Sequence, residues 1–207
     1  TLDADFTIAD SMLIENGKVK YVGDCPCDEE HNREDTSIVD LAGKTVMPSF
    51  IDAHLHLRLA AEPYFGVDLT GCDGVLDYTT LLTDYIDTNP EVEVLRGFGW
   101  HDRDFDENGP DKKILDSICP DIPVVLTSDS AHSIWVNSKT LDICGIDKDT
   151  QNVGNGEICR YEDGTPSGCL KEEDCTSLVL SVIPDYSVKQ YKDAFSDQIR
   201  YLNTLGY

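Results

Sequence analysis

Strand-like and helix-like segments alternate along the chain from Pro48 onward, and this alternation limits the fold more than any other feature of the sequence. Apolar runs of the kind that form strands are found at 49–59, 93–100 and 123–128. Apolar residues at helical spacing predict helices over 76–87, 112–118, 137–144 and 187–205. Strands that alternate with helices predict a parallel sheet or an α/β barrel.

The first 47 residues instead predict a small β module. Two short apolar runs, 9–14 and 18–22, flank Asn16 and Gly17, the residue pair that best suits the two left-handed positions of a hairpin turn. Polar residues then predict a loop, and two more short apolar segments follow at 37–41 and 44–47. We therefore expect a β segment over 1–47 and an α/β region over 48–207.

Charge and hydropathy exclude several function classes. The chain carries 40 Asp and Glu against 16 Lys and Arg, a net charge of −24, which repels phosphate backbones and argues against nucleic-acid binding. No 18-residue apolar run is present, so a membrane-spanning helix is not expected. The N-terminus shows no signal-peptide pattern, and we expect a cytoplasmic protein.

The eight cysteines favour reduced, structural thiols, because a chain of this length does not need disulfides to hold a core. Cys25 and Cys27 are the one closely spaced pair. A cysteine-based metal or redox module would rest on these two residues, and a single intervening residue is a poor zinc signature.

The segment 48–56, which reads PSFIDAHLH, carries the clearest chemistry. On a strand, His54 and His56 point to the same side, so both imidazoles can bind one metal ion. Neutral imidazole suits zinc, iron or nickel. Asp52 shares that face and could orient a ligand. An ordinary histidine pair on an exposed strand is the alternative interpretation.

This segment resembles the first-strand signature of the amidohydrolase superfamily, with Ser49 where the family usually has glycine. Upstream segments resemble the strands of the family's β-sandwich: 13–19, 22–23 and 40–46. Four later segments narrow the resemblance to the family-3 branch, the YtcJ-like amidohydrolases related to N-substituted formamide deformylases: 96–100, 120–126, 132–141 and 163–172.

The resemblance implies an α/β fold, an incomplete (β/α)8 TIM-type barrel with a small N-terminal β-sandwich module. Members of the family are longer, so we expect this chain to be an N-terminal piece of such a protein. The partner strands of the sandwich, two more ligand histidines and the catalytic aspartate would then come from beyond Tyr207.

The resemblance also implies a divalent metal, zinc above all, as one or two ions held by His54 and His56. A two-metal site would add a bridging carboxylate from Glu172 or a carboxylated Lys171. Neighbours on a strand point to opposite sides, so at most one of these two can face the metal. A surface charge is the alternative, and a single-metal site would need neither.

Three residues are candidates for substrate contact. The resemblance implies a substrate or oxyanion contact for His132, although a histidine that orients a helix start at Asn137 is the alternative. Trp100 and Asp102 follow a barrel strand, where loops build the active face, and packing under the loop is equally compatible. His101 and His31 are expected to be solvated and without a role.

The implied activity is metal-dependent hydrolysis of a carbon–nitrogen bond outside peptides. Metal-activated water would attack an amide or formamide of a small molecule, and the aspartate would pass the proton to the leaving amine. The alternative is a truncated, catalytically inactive fragment that acts at most as a binding or scaffold module. Its open sheet edge would favour self-association, which allows a homodimer.

Overall fold

The structure, a computed structural model, describes residues 4–5, 7–24 and 36–207. Cys25, Cys27 and His31 lie outside the described residues, so the predictions made for them are not addressed. The chain divides into two units, one made of residues 1–51 with 206–207 and the other of residues 52–205.

The first unit contains the predicted hairpin. Strands β1 (Ser11–Glu15) and β2 (Lys18–Gly23) pair in antiparallel fashion. Asn16 and Gly17 connect them with φ values of 54° and 73°. Both angles are left-handed, as an Asn-Gly hairpin turn requires, which confirms the turn expected from the sequence.

The two further strands expected in this unit are not formed. Residues 36–50 contain a turn in which Asp40 Oδ1 accepts a hydrogen bond from the Ala42 amide at 2.8 Å. Neither flank of the turn pairs with a described strand, and Ile38 stays 84% exposed. A short apolar run becomes a strand only when another strand accepts its hydrogen bonds, so the sandwich remains a prediction.

The second unit is built on one six-stranded sheet. Its spatial order is β3-β4-β5-β6-β8-β7. The strands are β3 (Val67–Asp68), β4 (Leu95–Trp100), β5 (Val124–Ser128), β6 (Ser133–Val136), β7 (Glu157–Arg160) and β8 (Pro166–Lys171). The β3, β4 and β5 strands run parallel, and the other three join by antiparallel pairs.

Helices connect the parallel strands, as the alternation predicted. Helix α1 (Val75–Thr88) links β3 to β4, and α2 (Lys112–Ile118) links β4 to β5. The remaining helices are α3 (Ser138–Cys144), α4 (Glu172–Leu180) and α5 (Val188–Thr204), with short 3-10 helices at Leu59–Tyr64 and Asp102–Asp104. The mixed α/β fold class is thereby confirmed.

Side-chain caps explain where several helices begin. Asn137 Oδ1 accepts from the Thr140 amide at 2.9 Å at the start of α3, as predicted. Ser187 caps α5 in a capping box with Gln190. Asp77 lies in the first turn of α1, and its Oδ2 accepts from the Asp73 amide at 2.9 Å.

The prediction of a strand over residues 49–59 is wrong for this structure. Residues 48–58 form no strand, and a 3-10 helix begins at Leu59. The β3 strand is an edge strand of the six-stranded sheet and has two residues, so it offers few backbone groups with which a further strand could pair. The segment that holds His54 and His56 is therefore exposed and irregular.

Several elements of the second unit have no counterpart in the sequence predictions, among them β6 and α4. The β6 strand occupies residues that were assigned to a motif, and α4 begins where Lys171 and Glu172 were expected to be neighbours on a strand. The acidic first turn of α4, with Glu172, Glu173 and Asp174, fits a helix N-terminus and could have revealed it. No helix among the described residues is long and apolar enough to cross a membrane.

Candidate active site

The imidazoles of His54 and His56 converge although their segment is not a strand. Their Nε2 atoms lie 2.9 Å apart, and the two rings meet edge to face. Asp52 Oδ1 accepts a hydrogen bond from the His54 amide at 3.0 Å, which fixes the backbone just before the pair. All three residues are exposed, so the nitrogen pair is open to a ligand.

Arg58 fastens the end of this segment to the start of α5. Its Nη2 donates to Asp185 Oδ2 at 2.9 Å, and its Nε donates to the Tyr191 hydroxyl at 3.2 Å. The Tyr191 hydroxyl in turn donates to Asp185 Oδ1 at 3.0 Å, which closes a triangle of polar contacts. Because Arg58 follows His56 by two residues, this triangle limits where the histidine segment can move.

Acid is expected to weaken this anchor. Burial alone would raise the pKa of Asp185, but hydrogen bonds from the Tyr186 amide, Tyr191 and Arg58 hold it below its usual value. A carboxylate with a lowered pKa stabilises the fold above its unfolded pKa of about 4, and that contribution is lost as pH falls through the folded pKa. Asp185→Asn should therefore flatten the acid side of the stability profile, measured by urea unfolding at several pH values.

The matched control for this prediction is Asp193→Asn, which removes an exposed carboxylate in α5 that pairs with Lys189. We expect the control to keep the acid dependence of the parent protein. An unchanged profile in Asp185→Asn would mean that the triangle does not contribute to stability.

His132 and Glu172, 40 residues apart in sequence, form a pair. The Nδ1 atom of His132 lies 3.1 Å from Glu172 Oε2, and the Glu172 amide donates to the His132 carbonyl at 2.7 Å. The register Ser133 with Lys171 across β6 and β8 places them side by side. Two residues that were singled out separately as site candidates are thus brought together where β6 begins and β8 ends.

Glu172 adopts a backbone conformation that glutamate rarely takes, with φ of 62°. The left-handed region costs a residue with a Cβ about 1–2 kcal/mol, and such strain is concentrated at functional positions. We expect Glu172→Gly to stabilise the fold by about 1 kcal/mol, since glycine adopts this angle freely and the exposed contact with His132 contributes little. Chemical denaturation measures it, and destabilisation would contradict the strain argument.

The side chain of Lys171 contacts different residues from the side chain of Glu172. Its Nζ donates to the Glu107 carbonyl at 2.6 Å and lies 3.7 Å from Glu157 Oε2. Burial would lower the pKa of Lys171, but the surrounding Cys159, Cys169 and Glu157 raise it on balance. A lysine held in its charged form is a poor candidate for carboxylation, which requires the neutral amine.

The other two predicted substrate contacts differ in exposure. Asp102 is exposed at the end of β4, and its Oδ2 accepts from Ser130 Oγ at 3.0 Å. Trp100 is fully buried, and its indole Nε1 donates to the Leu126 carbonyl at 2.9 Å. Its ring packs edge to face on Trp135, so its place in the structure matches the packing alternative.

Sequence reasoning missed a polar loop beside these residues. Asp129 and Ser130 follow β5, and Asp129 Oδ2 lies 2.7 Å from Nδ1 of His101, a residue expected to be solvated. Ser130 Oγ accepts from the His132 amide at 3.3 Å, so the loop connects His132 to Asp102. Its position after a parallel strand was the available signal, because such ends carry binding groups in α/β proteins.

Among the described residues, the site candidates form two separate polar groups. One is the histidine pair, His54 and His56, and the other is the strand-end cluster, which consists of Asp102, Ser130, His132 and Glu172. No set of three or more His, Cys, Asp or Glu side chains in the described part of the chain is arranged to hold a metal ion.

Comparison with known proteins assigns the chain to a family. The model of the Amidohydrolase family matches residues 37–207, a span that contains both polar groups. The chain belongs to the amidohydrolase family. The resemblance seen at 48–56 and in the four later segments is thereby confirmed.

Relatives of this amidohydrolase are considerably longer. An N-substituted formamide deformylase of Arthrobacter pascens is 31% identical over 200 residues, which cover 94% of this chain and 36% of the relative. YtcJ of Bacillus subtilis strain 168 is 29% identical over 204 residues, with 95% and 37% covered. The chain thus spans little more than a third of the length of these relatives.

A solved structure supports the same assignment. The crystal structure of an uncharacterized metal-dependent hydrolase from Pyrococcus horikoshii OT3 superposes with a TM-score of 0.64 at 27% identity. The match covers 94% of this chain and 37% of that protein.

Proposed function

We propose that this amidohydrolase acts as a metal-dependent hydrolase of carbon–nitrogen bonds other than peptide bonds, in small-molecule amides or formamides. The observation that carries the proposal is the convergence of the His54 and His56 Nε2 atoms at 2.9 Å on an exposed segment. The named relative that deformylates N-substituted formamides and the metal-dependent hydrolase structure support it.

The donor pair fits a divalent metal. Imidazole nitrogens lie about 2.1 Å from zinc, so two that share one tetrahedral ion are separated by about 3.4 Å. The Nε2 atoms of the pair lie 2.9 Å apart, within about half an ångström of that separation, and exposure leaves room for further ligands. The proposed cofactor is a divalent ion, with zinc as the first candidate, in one or two copies.

The chain's own residues would hold and position the reacting groups. His54 and His56 bind the ion, Asp52 fixes the backbone of His54, and Arg58 anchors the segment. A bound divalent metal lowers the pKa of water towards about 7 and polarises a carbonyl group. The proton acceptor in this proposal is an aspartate beyond residue 207, implied by the family resemblance.

The strand-end cluster would contact the substrate. Glu172 holds Nδ1 of His132, so Nε2 is the ring atom we propose for contact with the substrate carbonyl. Asp102 lies in the same cluster through Ser130. Between the two candidates for a bridging ligand, we favour Glu172. Its carboxylate is exposed and can bind a metal directly, whereas the Lys171 amine would first have to lose its proton and its contacts with Glu107 and Glu157.

The parallel β3, β4 and β5 strands with their crossover helices are what the first part of a (β/α)8 barrel would contain. We propose that the region 48–207 belongs to such a barrel and that 1–47 belongs to a sandwich. The cytoplasmic location and the homodimer also stay predictions, and light scattering would check the latter.

Metal analysis tests the proposed function. Elemental analysis of this chain and of the full-length protein, with His54→Ala and His56→Ala variants, should show metal retained by the parent and lost from both variants. We expect each variant to bind at least about 100-fold more weakly, since even groups that only orient a ligand contribute about 10- to 100-fold.

The control variant is His31→Ala, a histidine with no assigned role. If the full-length protein holds no metal, the hydrolase proposal fails and the inactive binding module becomes the better account. If His31→Ala also loses the metal, binding is not specific to the pair.

A further inference from the structure

Two cysteines lie close together across the β7–β8 pair. Ile158 lies opposite Leu170, and Cys159 and Cys169 are the next residues along the two antiparallel strands, where the register shifts. A hydrogen bond between the two thiols places the sulfurs in contact, within reach of a disulfide. Both thiols are free and buried, with 3% and 0% exposure.

The two sulfurs are chemically unequal. A hydrogen bond with Cys169 lowers the pKa of Cys159 against the effect of burial, and the Lys171 ammonium group adds to the lowering. The same hydrogen bond and burial raise the pKa of Cys169. One member of the pair is therefore disposed to be a thiolate, and the other keeps its proton beside it.

Other described cysteines differ from Cys159 in this respect. Burial raises the pKa of the Cys72, Cys119 and Cys144 thiols. Thiolates react with oxidants and thiols do not, so oxidation should be selective for Cys159.

The position in the sheet gives a small oxidant a route to the buried pair. The β7 strand is an edge strand, is four residues long and has β8 as its neighbour in the sheet. Edge strands open locally more easily than central strands, and peroxide is little larger than water. The pair is thus shielded from bulky reagents while remaining within reach of peroxide.

We propose that Cys159 and Cys169 form a peroxide-sensitive dithiol site that closes to a reversible disulfide. The Cys159 thiolate attacks one peroxide oxygen, which forms an S–O bond and breaks the O–O bond. The leaving hydroxide takes a proton and departs as water. Cys169 sulfur then attacks the sulfenic sulfur, and its proton leaves with the displaced hydroxyl as a second water. The two thiols lose two electrons, and hydrogen peroxide gains them.

Tryptic mass spectrometry can read out this disulfide directly. Cleavage after Lys148, Arg160 and Lys171 places Cys159 in the peptide 149–160 and Cys169 in the peptide 161–171, each with a single cysteine. The folded chain would be treated with hydrogen peroxide, its remaining thiols blocked with iodoacetamide in denaturant, and the digest analysed without reductant. We expect a cross-linked pair of these peptides that dithiothreitol separates.

Two lysine variants test the role assigned to Lys171. Lys171→Met removes a tryptic site, so its rate is read on the unchanged peptide 149–160, whose iodoacetamide-labelled form reports free Cys159. This labelled peptide should disappear severalfold more slowly on peroxide treatment than in the parent chain, because loss of the ammonium group lowers the thiolate fraction of Cys159. Lys189→Met removes an exposed lysine that pairs with Asp193 and should leave the rate unchanged.

Several outcomes would overturn the proposal. These are oxidation of Cys159 to sulfinic acid without a cross-link, a cross-link that forms only in denaturant, or preferential linkage of other cysteines. The cross-link itself is measured on the unmodified chain, so a variant that fails to fold does not affect this part of the test.

Discussion

Replacing Asn137 by alanine is expected to destabilise the protein by about 3–5 kcal/mol. The side chain is fully buried and bonds at both ends. Its Nδ2 donates to the carbonyls of Cys119 and Ile122 at 2.7 and 2.9 Å. Its Oδ1 accepts from both the amide and the hydroxyl of Thr140. Alanine would leave these buried groups without partners and remove the cap of α3.

Urea unfolding followed by tryptophan fluorescence measures this loss, since Trp100 and Trp135 are fully buried and report on the core. The matched control is Asn89→Ala, an exposed asparagine whose amide donates to the Tyr85 carbonyl at the end of α1. We expect the control to cost less than about 1 kcal/mol, because water replaces the lost contact. Equal losses in the two variants would show that the buried network is not specially stabilising.

The second large effect is expected at Gly168, in the middle of β8. Its φ is 108°, and a Cβ there would lie 2.6 Å from the Val136 carbonyl oxygen and 2.5 Å from the Lys112 Cβ. Gly168→Ala combines an unfavourable backbone angle with overpacking against a neighbouring strand. Each contributes about 1–3 kcal/mol, so we expect a loss of about 4 kcal/mol.

Gly164 separates the two contributions. Its φ of 84° is also left-handed, but a Cβ there would meet no atom within 4 Å. Gly164→Ala should therefore cost only the backbone strain, about 1 kcal/mol. The difference between the variants, obtained from denaturant midpoints, isolates the steric part. A Gly168→Ala protein as stable as Gly164→Ala would mean that β8 can move away from its neighbours at little cost.

Elements with strong local signals were predictable from the sequence. The bounds of α2 match the prediction, and Gly145 ends α3 with a left-handed φ of 67°, an angle that glycine adopts readily. The Asn16-Gly17 turn is another such case. In each case the structure is decided by residues that are close together in sequence, through a left-handed backbone angle or an apolar stripe at helical spacing. Such features can be read from a short stretch of the chain.

Features that depend on distant partners were not predictable in the same way. The apolar run before Leu59 has the pattern of a strand, yet its structure depends on a pairing strand that the run itself does not specify. The His132 and Glu172 pair depends on the register between β6 and β8, which no motif spacing reveals. The residue types of the candidate site were thus predictable, whereas their grouping required the fold.

The order of strands in the large sheet also bears on how the protein folds. The β7 and β8 strands are neighbours in the sheet and are joined by residues 161–165, whereas the parallel β4–β5 pair encloses residues 101–123 and the β6–β8 pair encloses residues 137–165. Closing a short loop costs less chain entropy than closing a long one, so the β7–β8 hairpin pairs at a lower entropic cost than these two pairs. We expect this hairpin to be ordered early in the folding transition state. A substitution at Gly168 would then act mainly by slowing folding rather than by hastening unfolding.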